Sequence, residues 1–218
     1  DESVNADQDI DFGSGGAAIL ADLPAGNTVT HAIIAAGKDK QLFVLNRDLL
    51  GGFGDAAAVQ KLDLTYATFS TAAYWNNTLY IGGLNAPLRA LRLNTSNAQF
   101  AISSATSHLY GFAGATPSVS SAATQNGVVW SLDTGSWCTH QSKSCAPVIL
   151  YAHNAASMST ELWNSSLNAN DAAGYGVKFS VPTVANGKVY VGTRGNNIGG
   201  VDSSTSVPGE LDIYGLKP

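Results

Sequence analysis

The chain has 218 residues, of which 44% are hydrophobic and only 12% are charged, and its formal net charge is -5 at pH 7. This length is sufficient to bury a hydrophobic core, and we expect residues 1–218 to form a single domain or half of a larger one. A sparse, acidic charge without any run of Lys or Arg disfavours nucleic acid and anionic membrane surfaces as partners. No apolar run reaches the roughly 18 to 20 residues of a membrane-spanning helix, so no membrane span is predicted.

The composition favours an all-β fold. The chain contains 23 glycines together with many Ser, Thr, Asn and Ala residues, whereas the charged residues that favour helices are scarce. This balance is typical of many short strands joined by turns.

Strand-like runs recur along the chain, each with an aromatic residue near its middle, at separations of about 37 to 60 residues. These runs are residues 41–45, 78–82, 127–131 and 188–192. We predict that their aromatic residues occupy equivalent positions and pack between neighbouring repeats. The aromatic residues are Phe43, Tyr80, Trp130 and Tyr190.

The repeating unit is predicted to hold about four strands. Asn126-Gly127 and Asn186-Gly187 supply the positive φ of a tight hairpin before two of the runs. A further strand is predicted after three of the runs, at 88–93, 148–152 and 210–214, and a polar edge strand can follow. Gly- or Ser-rich segments are predicted to be exposed loops at 51–54, 103–108 and 195–200.

Such a repeat indicates about four blades of a β-propeller. Four blades are at the low end of the range for a closed ring, so the chain is expected to be half of a larger propeller.

The two cysteines, Cys138 and Cys145, enclose a short polar loop. Their spacing suits a disulfide in an oxidising compartment and fits no common zinc signature, so a secreted or periplasmic protein is predicted. The histidines lack the short pairings of a metal site, which leaves them with isolated polar or core roles. They are His31, His108, His140 and His153.

Four stretches resemble the PQQ-like, or quinoprotein alcohol dehydrogenase-like, β-propellers, a superfamily with eight blades. They are residues 9–20, residues 35–47, residues 148–155 with 161–163, and residues 179–193 with 214–216. The resemblance implies that the chain is the C-terminal half of an eight-bladed ring. By pattern it is nearer to uncharacterised secreted members than to dehydrogenases.

The resemblance also implies site residues. Asp11 falls at the position of the family's catalytic base, and Lys38 at that of the basic side chain that hydrogen-bonds the quinone. PQQ and Ca²⁺ are the implied cofactors of the full-length protein, with Asp9 and Asp11 as candidate metal ligands. Ile10 departs from the family's aromatic residue before the base, and the family's metal-binding Glu and Asn are expected upstream of Asp1. These carboxylates can instead accept backbone N–H groups in a turn.

Two functions are therefore expected. The first is a binding scaffold for a protein or a glycan, with the aromatic Trp137 as a candidate contact. The alternative is the C-terminal part of a PQQ- and calcium-dependent alcohol or sugar dehydrogenase. In either case the missing N-terminal blades, or a second copy of the chain, are expected partners that complete the ring.

Overall fold

The computed structural model describes residues 10–137, 146–195 and 208–215. These residues form four antiparallel sheets, and each sheet is built from strands that are consecutive in the chain. The helical segments among them are two 3₁₀ turns of three residues each, Phe12–Ser14 and Ala169–Asp171. No helix in this part of the chain is long and apolar enough to cross a bilayer.

The sheets are named blades 1 to 4 in chain order. Blade 1 contains β1 (Ala18–Ile19), β2 (Ala32–Ala36), β3 (Gln41–Asn46) and β4 (Gln60–Asp63). Blade 2 contains β5 (Ala73–Trp75), β6 (Thr78–Ile81), β7 (Ala86–Asn94) and β8 (Gln99–Tyr110). Blade 3 contains β9 (Ser118–Ala122), β10 (Gln125–Asp133), β11 (Ile149–Asn154) and β12 (Ser157–Asn164). Blade 4 contains β13 (Thr183–Ala185), β14 (Lys188–Gly192) and β15 (Leu211–Gly215).

Strand order within each blade follows chain order, so every blade is an up-and-down sheet. Four such sheets in succession make an all-β fold of the β-propeller type with four blades, as the composition and the repeat predict. The fourth blade has three strands within the described residues. The turns between the second and third strands lie at the same end of the blades as the connections that lead from one blade to the next.

A separate hydrophobic cluster fills each interface between neighbouring blades. Blades 1 and 2 share the cluster that contains Ile34 and Leu79, and blades 2 and 3 share the one that contains Tyr80 and Val129. Blades 3 and 4 pack through a third cluster, which Trp130 contacts from one side. The core is therefore a series of layers between sheets, and each blade is stabilised by its neighbours.

The second strand of each blade carries a large side chain toward the following blade, but the sequence-based alignment of blade 1 is wrong. Residues 41–45 lie in β3, the third strand of their blade. The runs 78–82 and 188–192 instead coincide with β6 and β14, which are the second strands of their blades. The equivalent of β6 is β2, in which Ile34 takes the place of Tyr80. Phe43 instead contacts the ring of Phe12, with centroids 5.2 Å apart.

Two further sequence-based predictions need correction. Residues 103–108 are not a loop but lie within β8, whose polar residues suit the outer strand of blade 2 because one edge of that strand has no partner in the sheet. Asn126 has the expected positive φ of 53°, but the turn before β10 is formed by the preceding residues and Asn126 lies at a bulge.

Asn186-Gly187 forms the predicted turn, with positive φ at both residues. The further strands at 88–93, 148–152 and 210–214 are confirmed by β7, β11 and β15.

The two terminal blades expose apolar side chains on the faces that no described blade covers. On blade 4, Leu211 and Ile213 are 61% and 54% exposed, and Tyr190 lies opposite Ile213 on the same face. On blade 1, Ile19 is 64% exposed. Tyr80, at the position of Tyr190, is fully buried by blade 3. This face of blade 4 therefore carries the side chains of a blade interface, and none of the described strands packs on it.

Candidate ligand-binding surface

Asp11 and Lys38, which the resemblance pairs across 27 positions of sequence, lie together in the structure. The Lys38 Nζ donates to the Asp11 Oδ2 at 2.8 Å, and the Lys38 backbone N–H donates to the Asp11 carbonyl oxygen at 3.0 Å. Lys38 belongs to the turn between β2 and β3, and Asp11 precedes the first 3₁₀ turn. The Asp11 side chain is 53% exposed. The two groups neutralise each other at the surface, and their catalytic and quinone-binding roles stay predictions.

Replacing Asp11 with Asn is expected to lower the free energy of unfolding by about 1 kcal/mol, because the Asp11 carboxylate is half exposed and an ion pair with an exposed member gains little over hydration. Lys38 would remain held by its backbone hydrogen bond and by the ring of Phe69, whose centroid is 5.5 Å from the Nζ. Urea denaturation at two salt concentrations measures this. A loss above about 2 kcal/mol would mean that the carboxylate has a structural role that its exposure does not indicate.

Three phenylalanines from three different connections between blades meet beside this ion pair. The centroids of Phe69 and Phe112 are 5.4 Å apart, and the Phe179 ring lies 6.5 Å from both. Each ring precedes the first strand of a blade, so their contact brings the connections of blades 2, 3 and 4 together at the centre of one end of the propeller. Trp137, which follows β10, adds a fourth ring 6.1 Å from Phe112.

Lys178 places a cation among these rings. Its Nζ lies 4.9 Å from the ring centroid of Trp137, 5.3 Å from that of Phe179 and 5.9 Å from that of Phe112. These distances are within the range of cation–π contact. Within the described residues, no carboxylate oxygen lies within 4.0 Å of this ammonium group.

We call this set the central aromatic surface. It comprises Lys38, Phe69, Phe112, Trp137, Lys178 and Phe179, with Asp11 at its edge. Phe179 is 52% exposed and Lys178 is exposed, so the surface is accessible to a ligand. Rings beside an ammonium group suit a ligand that combines an apolar group with a negative charge.

Part of this surface is predicted from the sequence. Lys38, Asp11 and Trp137 are candidate site residues in the sequence, but the three phenylalanines are not, because they lie in connections without strand periodicity. A recurring signal was available, because Phe69 and Phe179 are each followed by Ser a few residues before a strand. Asp9, Cys138 and Cys145 lie outside the described residues, so the predicted disulfide and the metal-ligand role of Asp9 stay predictions.

A second cluster of polar and aromatic groups is buried between blades 2 and 3. His108 stacks on Tyr151 with centroids 4.5 Å apart, and its Nε2 is 2.8 Å from the Asp133 Oδ2. The ring centroid of His153 lies 5.9 Å from that of Tyr151, and the two rings are stacked. His153 is 2% exposed, and its Nδ1 has no hydrogen-bond partner among the residues that the structure describes. Burial therefore lowers the pKa of His153, although the Glu161 carboxylate opposes this shift.

His153 is expected to make the protein less stable as the pH falls below about 6.5. The unfolded chain takes up a proton near the ordinary pKa of 6.5, whereas the folded chain keeps this imidazole neutral, so acid favours unfolding. His153→Phe keeps a ring of similar size, and its stability should decrease less between pH 7 and pH 5. Urea midpoints across that range measure the difference, and parallel curves for the two proteins would contradict it.

No protein-family model matches the chain, and no curated protein matches it. Among solved structures, the chain is similar to BamB from Moraxella catarrhalis, with 11% sequence identity and a TM-score of 0.42. The similarity covers 82% of this chain and 46% of that one, so this chain spans less than half the length of the BamB chain.

Proposed function

We propose that this protein is a β-propeller interaction scaffold that binds a protein partner through the central aromatic surface. The observation that carries the proposal is the convergence of three rings around Lys178, those of Phe112 and Phe179 from two blade connections and that of Trp137 from blade 3. Among the described residues this ammonium group has no carboxylate partner. Aromatic residues are enriched at the cores of protein interfaces, and Trp is among the residue types that dominate binding energy there. The ligand expected from this chemistry is a peptide segment in which a carboxylate neighbours an aromatic or aliphatic side chain.

Selection from a displayed library of random peptides tests this proposal. Peptides that bind the wild-type protein should be enriched in Asp or Glu next to an apolar residue. Lys178→Glu should lower the affinity for a synthetic selected peptide at least tenfold. The substitution replaces attraction of the peptide carboxylate by repulsion in the middle of the surface. Lys188→Glu makes the same charge change at the opposite end of blade 4, where Lys188 begins β14, and should leave the affinity within about twofold. Equal effects of the two variants would contradict the proposal.

The exposed faces of blades 1 and 4 support a second part of the proposal, that further propeller blades cover them. These blades come either from an upstream part of a longer chain or from a second copy of this one. Sedimentation of the 218-residue chain distinguishes the sources, because only a second copy gives a dimer, and Ile213→Asp should dissociate it. A native protein in which Ile213 and Ile19 both remain exposed would contradict this part.

We also propose that the protein is secreted or periplasmic. The support is the spacing of Cys138 and Cys145, which suits a disulfide in an oxidising compartment. Thiol labelling of the denatured native protein should modify neither cysteine before reduction and both after it. Labelling of both cysteines without reduction would contradict the proposed compartment.

One observation favours the dehydrogenase alternative, namely the 2.8 Å contact between Asp11 and Lys38. The described residues do not fit a calcium ion, because they contain no group of three or more His, Cys, Asp or Glu side chains that could hold one. A titration of the protein with PQQ and Ca²⁺, followed by dye reduction with alcohols and sugars, tests this alternative, and Asp11→Asn should abolish the turnover. An absence of binding and of turnover would exclude the alternative.

A further inference from the structure

A groove of about 500 Å³ opens between blades 2 and 3, at the end of the propeller opposite the central aromatic surface. Three turns surround it, namely those between β5 and β6, between β9 and β10, and between β11 and β12. Its volume lies within the range of small-molecule sites. The groove shares no residue with the central aromatic surface, so an inference about it is independent of the proposed function.

An indole ring fixed across the two blades forms part of the apolar wall. The Trp75 Nε1 of blade 2 donates to the Ala123 carbonyl oxygen of blade 3 at 2.8 Å. The ring passes close to Gly127, where an added Cβ would lie 2.6 Å from two carbons of the indole. Leu162 lines the groove from β12 and is 51% exposed. The wall therefore has one rigid aromatic side chain and one accessible aliphatic side chain.

Three asparagines line the groove beside this wall, namely Asn76 in the turn between β5 and β6, Asn126 at the bulge of β10 and Asn154 at the end of β11. Asn76 and Asn126 have positive φ values of 47° and 53°, a conformation that Asn tolerates better than most residues. An amide offers both donors and acceptors, which matches neighbouring hydroxyl groups of a sugar.

Arg92 gives the groove a positive charge. Its Nη1 donates to the Asn76 carbonyl oxygen at 3.3 Å and to the Thr78 Oγ1 at 3.1 Å, which fixes the guanidinium beside the amides. No Asp or Glu lines the groove, and within the described part of the chain Arg92 has no ion pair. A guanidinium held in this way suits a carboxylate, which it can bind through two parallel hydrogen bonds.

We propose that this groove binds a carbohydrate that carries a carboxylate group. The indole contacts the apolar face of a sugar ring, the amides bind hydroxyl groups, and the Arg92 guanidinium binds the carboxylate. A neutral sugar lacks the charge that Arg92 requires, and a simple carboxylic acid lacks the hydroxyl groups that the three amides require.

Calorimetric titration with a trimer of galacturonic acid tests this inference, with the methyl-esterified trimer as the matched uncharged ligand. The acid trimer should bind at least tenfold more tightly than the ester. Arg92→Gln should lower the affinity for the acid trimer at least tenfold, since a hydrogen-bonded charge pair between the guanidinium and the ligand carboxylate is lost. Leu162→Asp, at an exposed position, should lower the affinity for the acid trimer to a similar extent, because it places a negative charge in the groove.

Lys61→Gln is the control, because it removes one positive charge from the exposed side chain of β4, on blade 1. Its affinity for the acid trimer should equal that of the wild type. The inference is overturned if the wild-type protein fails to bind the trimer at millimolar concentration or if the ester binds equally well. It is also overturned if Lys61→Gln weakens binding as much as Arg92→Gln does.

Discussion

Replacing Tyr80 with Ala is expected to lower the free energy of unfolding by about 3 to 5 kcal/mol. The side chain is fully buried between blades 2 and 3, and its hydroxyl group donates to the Ala155 carbonyl oxygen at 2.8 Å. The substitution leaves a cavity in the cluster that joins the two blades and leaves that oxygen without its donor. The midpoint and slope of urea denaturation, compared with the wild type, measure the loss.

Tyr190→Ala is the matched control, because Tyr190 occupies the same position of the repeat on blade 4. No described blade covers it, so we expect a loss of less than about 1 kcal/mol at a protein concentration low enough to prevent self-association. Equal losses at Tyr80 and Tyr190 would contradict the assignment of Tyr80 to a blade interface and of Tyr190 to a free face.

Gly37→Ala is expected to destabilise the protein by about 2 to 3 kcal/mol. A Cβ at Gly37 would lie 2.6 Å from the backbone oxygen atoms of Asp11 and Phe12, which are not flexible side-chain ends. The first 3₁₀ turn would have to move away from the turn between β2 and β3. The contact between Asp11 and Lys38 should weaken as a consequence, which the salt dependence of stability would reveal.

Gly192→Ala provides the control for this substitution. None of the described residues lies within 4 Å of a Cβ at Gly192, and its φ lies outside the left-handed region. Alanine costs less conformational entropy than glycine in a strand, so stability should stay the same or rise by up to about 1 kcal/mol. A loss at Gly192 similar to that at Gly37 would show that the crowding against Asp11 and Phe12 is not the cause.

The repeat was readable from the sequence where each blade uses the same residue types. The aromatic and β-branched runs of β6, β10 and β14 identify the second strands of blades 2, 3 and 4. Blade 1 was misaligned because its second strand, Ala32–Ala36, is rich in Ala and has Ile34 in the aromatic position. The neighbouring β3, with Phe43 near its middle, matched the pattern better.

The site was only partly predictable, since it depends on contacts between residues far apart in the chain. The family resemblance selects Asp11 and Lys38, and the structure places them in contact. Phe69, Phe112 and Phe179 belong to irregular connections, so no period of 2 marks them and only the closeness of successive blades brings them together. The groove beside Arg92 likewise combines turns from two blades, and no local pattern identifies it.

Amide shift mapping of the uniformly ¹⁵N-labelled protein, titrated with a selected acidic peptide, locates the surface that binds the partner. We expect the largest shifts at the Trp137 indole N–H and at the amides of Phe69, Phe112 and Phe179. Lys178→Glu should abolish these shifts. Shifts confined to the turns of the opposite end, or shifts that persist unchanged in Lys178→Glu, would contradict the assignment of partner binding to the central aromatic surface.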